Sequence, residues 1–495
     1  MTTRSRFMLR AIRDSRWAPV LALVIFGATL RFWQLGALEL IGDESYYWLW
    51  SQHLDWAYFD HPAGVALTVW LSTLVGGAGE AGVRWLNAGL GVACIVLTYS
   101  LGVRMLSRRA GLFAGLLVAL GAPYLLTSRF VYTDALQLAL LLLNLNCFWR
   151  LVEDKPAPSL RASLAFGITL ALLFNTKYSA YLYAAALLIA VVIDHRWLLT
   201  HRRGWLAALI GALGLVPVLA WNAAHGWASF RWQLSHAALS LSGQTTALGR
   251  AFHAVTYVTW PLFAAGLAGL GRVRRPAERL LTLVALALLA PAALSRADSP
   301  RNLISGLVPL FLLLGQTWPS RLQKRTEKWA AAGLGILAAA AALYGLGTVI
   351  ATFGPAPWPA SSGVPAIRQD AAGWRELGPQ LAASPLPIFA LDYSIAAQIV
   401  YYTKQPAYTA WGQYRIWGIP VSRDWTVVGL DTLPEDRVAF KLRSAFEAVT
   451  RPQTLRAEEW GATKRVRLWE ARQLLLDEET FLQELDFLTL LRAGR

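Results

Sequence analysis

Gly42-Asp43-Glu44-Ser45-Tyr46-Tyr47-Trp48-Leu49-Trp50, continued by Tyr58-Phe59-Asp60-His61-Pro62, stands directly after the first long apolar segment of the chain. The stretch therefore emerges where a membrane would meet water. A carboxylate costs roughly 2.5–3.5 kcal/mol at the centre of a membrane helix and less at the interface, so acids retained at such a place mark a function. The plainer alternative is a solvated loop, with Asp43 and Glu44 capping a helix that starts near Ser45. For Tyr46, Tyr47, Trp48, Trp50, Trp56, Tyr58 and Phe59 it is an interfacial aromatic belt.

Working outward, the composition excludes an ordinary soluble domain: 56% of the 495 residues are hydrophobic, 15% are charged, and the mean hydropathy is +0.41. The chain reads as a polytopic membrane protein. Taking ~20 apolar residues per span, helices are expected near 17–37, 83–103, 110–128, 134–152, 162–176, 179–194, 205–222, 253–271, 279–295, 302–318 and 329–352. The segment 62–79 is apolar too, and its start right after Asp60-His61-Pro62 suggests a helix at or dipping into the interface. The N-terminal run holding Arg4, Arg6, Arg10, Arg13 and Arg16 continues into a spanning helix without a small-residue cleavage site, so it reads as a retained anchor. Cys94 and Cys147 lie in apolar segments and do not suggest a disulfide.

Charge orients this arrangement, because short cytoplasmic loops collect Lys and Arg. Alternate loops do so: Arg104/Arg108/Arg109, Arg150/Lys155/Arg161, Arg196/Arg202/Arg203, Arg272/Arg274/Arg275/Arg279 and Arg321/Lys324/Arg325/Lys328. They account for most of the net charge of +16 without any nucleic-acid partner. The N-terminus is then cytoplasmic in an inner or plasma membrane. The loops holding Asp43 to His61, Arg129 to Asp134, Lys177, His225 to His253 and Arg296 to Arg301 share the opposite face.

After Phe353 a Pro-rich linker, Pro355 to Pro359, leads into a polar tail of about 140 residues. Its pattern gives a helix at Leu377–Ala383, a strand at Pro387–Leu391, a helix at Ile395–Tyr402, and strands at Thr426–Leu430 and Lys464–Trp469. The expected fold is an α-helical polytopic membrane domain, 1–353, with about 11 transmembrane helices, followed by a small extracytoplasmic α/β domain, 354–495.

The pattern Asp43-Glu44-x-Tyr46-Tyr47 followed by Tyr58-Phe59-Asp60-His61-Pro62 resembles the first external loop of the polyprenol-phosphate-dependent glycosyltransferases, the GT-C superfamily. Within it the resemblance is to glycosyltransferase family 39, which includes the protein O-mannosyltransferases and the aminoarabinose transferases of lipid A. The resemblance implies that Asp43 is the catalytic base, with Glu44 beside it. It places Asp60-His61 where the aminoarabinose transferases carry an acid and a lysine, implying a divalent-metal ligand (Zn, Mg or Mn) at Asp60 and a donor-phosphate contact at His61. Histidine for lysine weakens that contact, since His is only partly charged near neutrality.

Thr133-Asp134, after Ser128-Arg129-Phe130-Val131-Tyr132, resembles the family's second external acidic motif. Simple N-capping explains it equally, and an acid there is also placed to orient Arg129 or a metal-bound group. Lys177-Tyr178 interrupts two apolar helices and is read as a phosphate contact, with snorkelling to headgroups as the alternative. Trp221 to His236 resembles the long external loop, and His236, ahead of His225 and His253, is the candidate to join Asp60 at a metal, although a lone histidine is more often structural. Arg301 suits bidentate phosphate recognition, or else marks the membrane edge.

The reading is an inverting glycosyltransferase that takes a sugar from a polyprenyl-phosphate donor in the bilayer. It passes the sugar to an acceptor hydroxyl of a glycolipid, cell-envelope glycan or protein outside the cytoplasm. No glycine-rich nucleotide fingerprint is visible, in keeping with a lipid-linked donor. The rival is a transporter or flippase of lipid-linked saccharides, which predicts polar residues deep inside broken spans. A non-catalytic scaffold, the third reading, would tolerate loss of Asp43.

Overall fold

Most of the apolar segments above are helices in the computed structural model, which describes residues 18–242, 273–294, 300–318, 324–354, 366–420, 422–459 and 462–485. In chain order these are α1 Ala18–Phe32, α2 Gly42–Gln52, α3 Gly64–Gly76, α4 Glu80–Met105, α5 Arg108–Leu120, α6 Ala122–Arg129, α7 Thr133–Glu153, α8 Leu160–Phe174 and α9 Ser179–Asp194. They continue as α10 Arg202–Leu213, α11 Val216–Ala224, α12 Ala228–Ser242, α13 Pro276–Leu294, α14 Ile304–Gln316 and α15 Arg325–Phe353. The expected helix at 253–271 and the Pro355 to Pro359 linker lie outside the described residues. Among those described, α4, α7, α15 and the run Arg202–Ala224 are long and apolar enough to cross a membrane.

The segment expected as one helix at 110–128 is instead broken. It bends by 55° between α5 and α6, because Gly121 is extended (φ −68°, ψ 134°) and Pro123 sits in the first turn of α6, where a missing N–H does no harm. A break inside apolar surroundings frees carbonyls that need partners. Arg31 supplies them, donating from Nη1 to the Ala119 carbonyl at 2.9 Å and from Nη2 to that of Val118 at 2.8 Å. Asn87 sets its amide against the carbonyls of Thr127, Ser128 and Phe130 at the end of α6.

The chain divides into two compact units, one of residues 1–33, 56–68 and 84–349, the other of 34–55, 69–83 and 350–495. In the first unit, α8 packs on α7 and α10, α13 on α9 and α14, and α14 on α5. Asn144 of α7 forms a buried polar node there, donating to the Phe166 carbonyl and to Thr169 Oγ1 while accepting from the Tyr183 hydroxyl at 2.7 Å. Such bonds join helices where water is absent. Leu209, Leu213, Ile336 and Leu343 are exposed, as side chains facing lipid would be.

The second unit is built on a mixed sheet of β1 Ile388–Ala390, β2 Ala407–Tyr408, β3 Trp425–Leu430, β4 Phe446–Val449, β5 Gln453–Glu459 and β6 Ala462–Leu474. The order is β2-β1-β3-β6-β4, with β5 also on β6. The pairs β1–β2 and β1–β3 are parallel, whereas β3, β4 and β5 run antiparallel to β6. Central strand β3 is buried at nearly every position, which explains its unbroken Trp-Thr-Val-Val run. Phe389, Trp425, Phe446, Trp469 and Phe481 fill the core. Helices α16 Trp374–Ala382, α17 Tyr393–Thr403 and α18 Glu435–Ala445 flank the sheet. Helix α2 packs on α17, so the opening acidic stretch belongs to this unit.

Candidate functional site

Helix α2 begins among backbone donors that its own turns cannot satisfy. The Tyr402 hydroxyl accepts from Leu40 N–H at 2.6 Å, Glu44 Oε2 from Ile41 N–H at 3.2 Å, and Asp370 Oδ2 from Gly42 N–H at 3.1 Å. Carboxylates here also complement the positive end of the helix. Glu44, read from the sequence as Asp43's partner in chemistry, is thus fully buried and holds the helix start. Asp43 is half-buried and accepts a hydrogen bond from Tyr393 Oη at 2.9 Å. A carboxylate positioned by a phenol yet still reachable is able to take a proton.

Two further carboxylates stand near it that the sequence does not single out. Asp392 caps α17, accepting from Ser394 N–H at 2.8 Å. Asp370 is pushed up to about 6, chiefly by burial, with Lys464 and the Gly42 N–H pulling it back and Asp43 and Asp392 adding to the rise. Burial raises Asp392 as well. Both acids bind protons more tightly folded than unfolded, so their contribution to stability is greatest in acid and is lost as pH rises from about 4 to about 6. Asp370→Asn keeps an acceptor for Gly42 and should flatten the pH dependence of Tm over that interval; an unchanged slope would count against the assignment.

In the first unit, Asp60-His61 sits in a tight turn in which Tyr58 N–H donates to the His61 carbonyl at 2.9 Å. Gly64 then lets the backbone close on the loop before α9. Its N–H donates to the Asn175 carbonyl at 2.8 Å, and a Cβ at Gly64 would lie 2.5 Å from that oxygen. This places the Asp60 turn beside Lys177-Tyr178. Burial pushes the Tyr178 phenol up, and the Asp60 carboxylate adds to the rise. Helix α12 closes the group with residues spaced three and four apart: Ser229 bonds the Tyr178 hydroxyl, Trp232 packs on Phe59 with ring centres 5.3 Å apart, and Gln233 donates to the Asp60 carbonyl at 2.6 Å.

Lys177 Nζ pairs with Asp134 Oδ1 at 2.8 Å, the two side chains 16% and 4% exposed. Asp134 lies in the first turn of α7, but the N-cap position is Tyr132 and no side chain caps the helix, so the partner of Asp134 is Lys177 rather than the helix backbone. Arg301, on the short 3-10 turn Pro300–Leu303, stacks over Tyr132 with 4.2 Å between guanidinium carbon and ring centre. Arg129 is fully buried and donates to the carbonyls of Leu30 and Trp33, which gives it the task of closing the end of α1. His225 stacks on Trp221, with centres 4.2 Å apart. The His236 side chain and His253 lie outside the described residues. Among the described residues no three His, Cys, Asp or Glu side chains converge as a metal site.

Residues 60–221 match the family model for dolichyl-phosphate-mannose-protein mannosyltransferase, a range that includes Asp60, His61, Asp134, Lys177 and Tyr178. A lipid A galacturonosyltransferase, RgtD of Rhizobium johnstonii, is 26% identical over 216 residues, which are 41% of this chain. The match spans 43% of that relative's length. Among solved structures, ArnT from Cupriavidus metallidurans bound to undecaprenyl phosphate is similar at a TM-score of 0.62 and 16% identity, over 92% of this chain and 98% of that one. The Archaeoglobus fulgidus oligosaccharyltransferase AglB, in complex with an inhibitory peptide and a dolichol-phosphate, is similar at a TM-score of 0.53 and 13% identity, over 80% of this chain and 64% of that one. The chain therefore shares its fold with these GT-C glycosyltransferase structures, and the family-model match begins at residue 60, so it takes in Asp60-His61-Pro62 but not Asp43 to Tyr47.

Proposed function

We propose that the chain is an inverting glycosyltransferase that moves a sugar from a polyprenyl-phosphate donor to an acceptor hydroxyl at the extracytoplasmic face of the membrane. The observation that carries this is Asp43, a reachable carboxylate held by Tyr393 at the capped start of α2. In the step proposed, Asp43 takes the acceptor proton as the acceptor oxygen bonds to the anomeric carbon. The bond from that carbon to the phosphate oxygen breaks, its electron pair stays on the phosphate, and polyprenyl phosphate leaves. Lys177, with Arg301, His61 and Tyr178, would receive the charge that gathers on the leaving phosphate. Asp134 holds Lys177 in place through their ion pair, and Glu44 acts through the helix start. The N-terminus is placed in the cytoplasm and residues 354–495 outside, on the loop charges given above.

The donor kind agrees with the undecaprenyl phosphate bound by ArnT and the dolichol-phosphate bound by AglB. The acceptor is a glycolipid, a cell-envelope glycan or a protein. A divalent ion would draw on Asp60 and His236, but without a third described ligand no step is assigned to it. The test is purified protein in detergent with a panel of polyprenyl-phosphate sugars. Transfer with release of polyprenyl phosphate is expected, and EDTA decides whether a divalent ion takes part. Loss with EDTA that Zn, Mg or Mn restores, and that Asp60→Ala mimics, would make Asp60 a ligand. Absence of turnover despite tight donor binding would favour the flippase.

A further inference from the structure

A cavity of about 240 Å³ opens in the second unit, lined among others by Asp370, Ser394, Gln398, Thr432, Thr463 and Lys464. The mechanism proposed above makes no use of it. Its walls are nevertheless the residues that hold Asp43's helix. Asp370 accepts the Gly42 N–H, and Ser394 packs so closely on Gly42 that a Cβ there would lie 2.3 Å from Ser394 Cβ. Tyr393, next to Ser394, bonds Asp43. The cavity therefore shares Asp370 and Ser394 with the contacts that hold the start of α2.

Its chemistry selects an occupant. At about 240 Å³ it is smaller than the ~300–1,000 Å³ of a drug-sized site and suits one ring. The wall mixes hydroxyls, a carboxamide, carboxylates and cations, and so offers donors and acceptors together. The charges balance: Lys464 faces Asp370, donating to its carbonyl at 2.8 Å, and Arg465 lies 3.8 Å from Asp431, both of these also on the wall. A wall with no net charge and many hydrogen-bonding groups favours a neutral, hydroxyl-rich ligand over an anion.

We propose that this cavity is an acceptor subsite, taking the neutral sugar ring next to the one whose hydroxyl meets Asp43. The inference rests on the transferase reading. Thr463→Trp and Thr432→Trp, each placing an indole in the cavity from a different element, test it in the full-length protein. The acceptor KM should rise about tenfold, the equivalent of one ring's contacts at 1.4 kcal/mol, while donor KM and slow cleavage of donor by water stay at wild-type values. Folded variants with unchanged acceptor KM would overturn it. If the wild type transfers no sugar to any acceptor and releases no polyprenyl phosphate, the transferase reading fails, and the cavity is tested by saturation-transfer NMR with neutral methyl glycosides. Signals abolished by Thr463→Trp would then sustain a sugar site, and no signal from the wild type would refute it.

Discussion

Asp43→Asn should lower transfer by about 10²–10⁴-fold, the usual worth of a positioned general base, while leaving donor binding intact. The asparagine keeps an oxygen for the Tyr393 hydroxyl, which donates to Asp43 at 2.9 Å, and leaves Glu44 and Asp370 holding the start of α2. The fold should therefore survive, with Tm close to that of the wild type. The effect should fall on kcat, because the proton moves only as the acceptor attacks. Kinetics with saturating donor and acceptor read this directly. A variant that transfers at more than a tenth of the wild-type rate would remove Asp43 from the chemistry.

The second large effect is expected at the Lys177–Asp134 pair, which is mostly shielded from water. Lys177→Met leaves the Asp134 carboxylate buried without its cation, a change that typically costs about 3–5 kcal/mol. Activity should be lost as well. The two losses are separable by adding Asp134→Asn, which removes the stranded charge. The double variant should regain most of the Tm yet remain inactive, because the cation proposed to face the phosphate is still missing. Recovery of activity along with stability would reduce Lys177 to a structural partner of Asp134.

Much of the fold was legible because hydrophobic run length and period report helices and strands directly. The strand at Thr426 to Leu430 and the helix at Ile395 to Tyr402 lie within β3 and α17, and α7 and α9 begin within a residue of where the apolar runs do. The break at Gly121 was not read, since Gly-Ala-Pro inside a long apolar run looks like a continuous span until Arg31 is seen on the freed carbonyls. Short β2 and the polar, alternating β5 carry too little hydrophobic signal to be noticed.

The candidate site divides in the same way. Asp43, Asp60, Asp134 and Lys177 are conspicuous as ionised groups at the ends of apolar segments. Their partners are not. Tyr393 and Asp370 lie more than 300 positions from Asp43 and reach α2 only through the fold. Ser229 and Gln233 are ordinary residues whose use depends on the face that α12 turns toward Tyr178 and Asp60. Glu44 illustrates the opposite limit: beside Asp43 it reads as a second catalytic acid, whereas the Ile41 N–H makes it a capping residue. Sequence spacing marks where charge is retained, and only packing shows what each charge holds.

The most direct test of the account is the fate of the anomeric centre. Purified protein would be given a polyprenyl-phosphate sugar of known configuration with its acceptor, and the product followed by NMR alongside the released lipid. Single displacement from a base such as Asp43 predicts a product of inverted configuration, with one polyprenyl phosphate freed for each sugar transferred. A product of retained configuration, or sugar that stays on its lipid throughout, would contradict it.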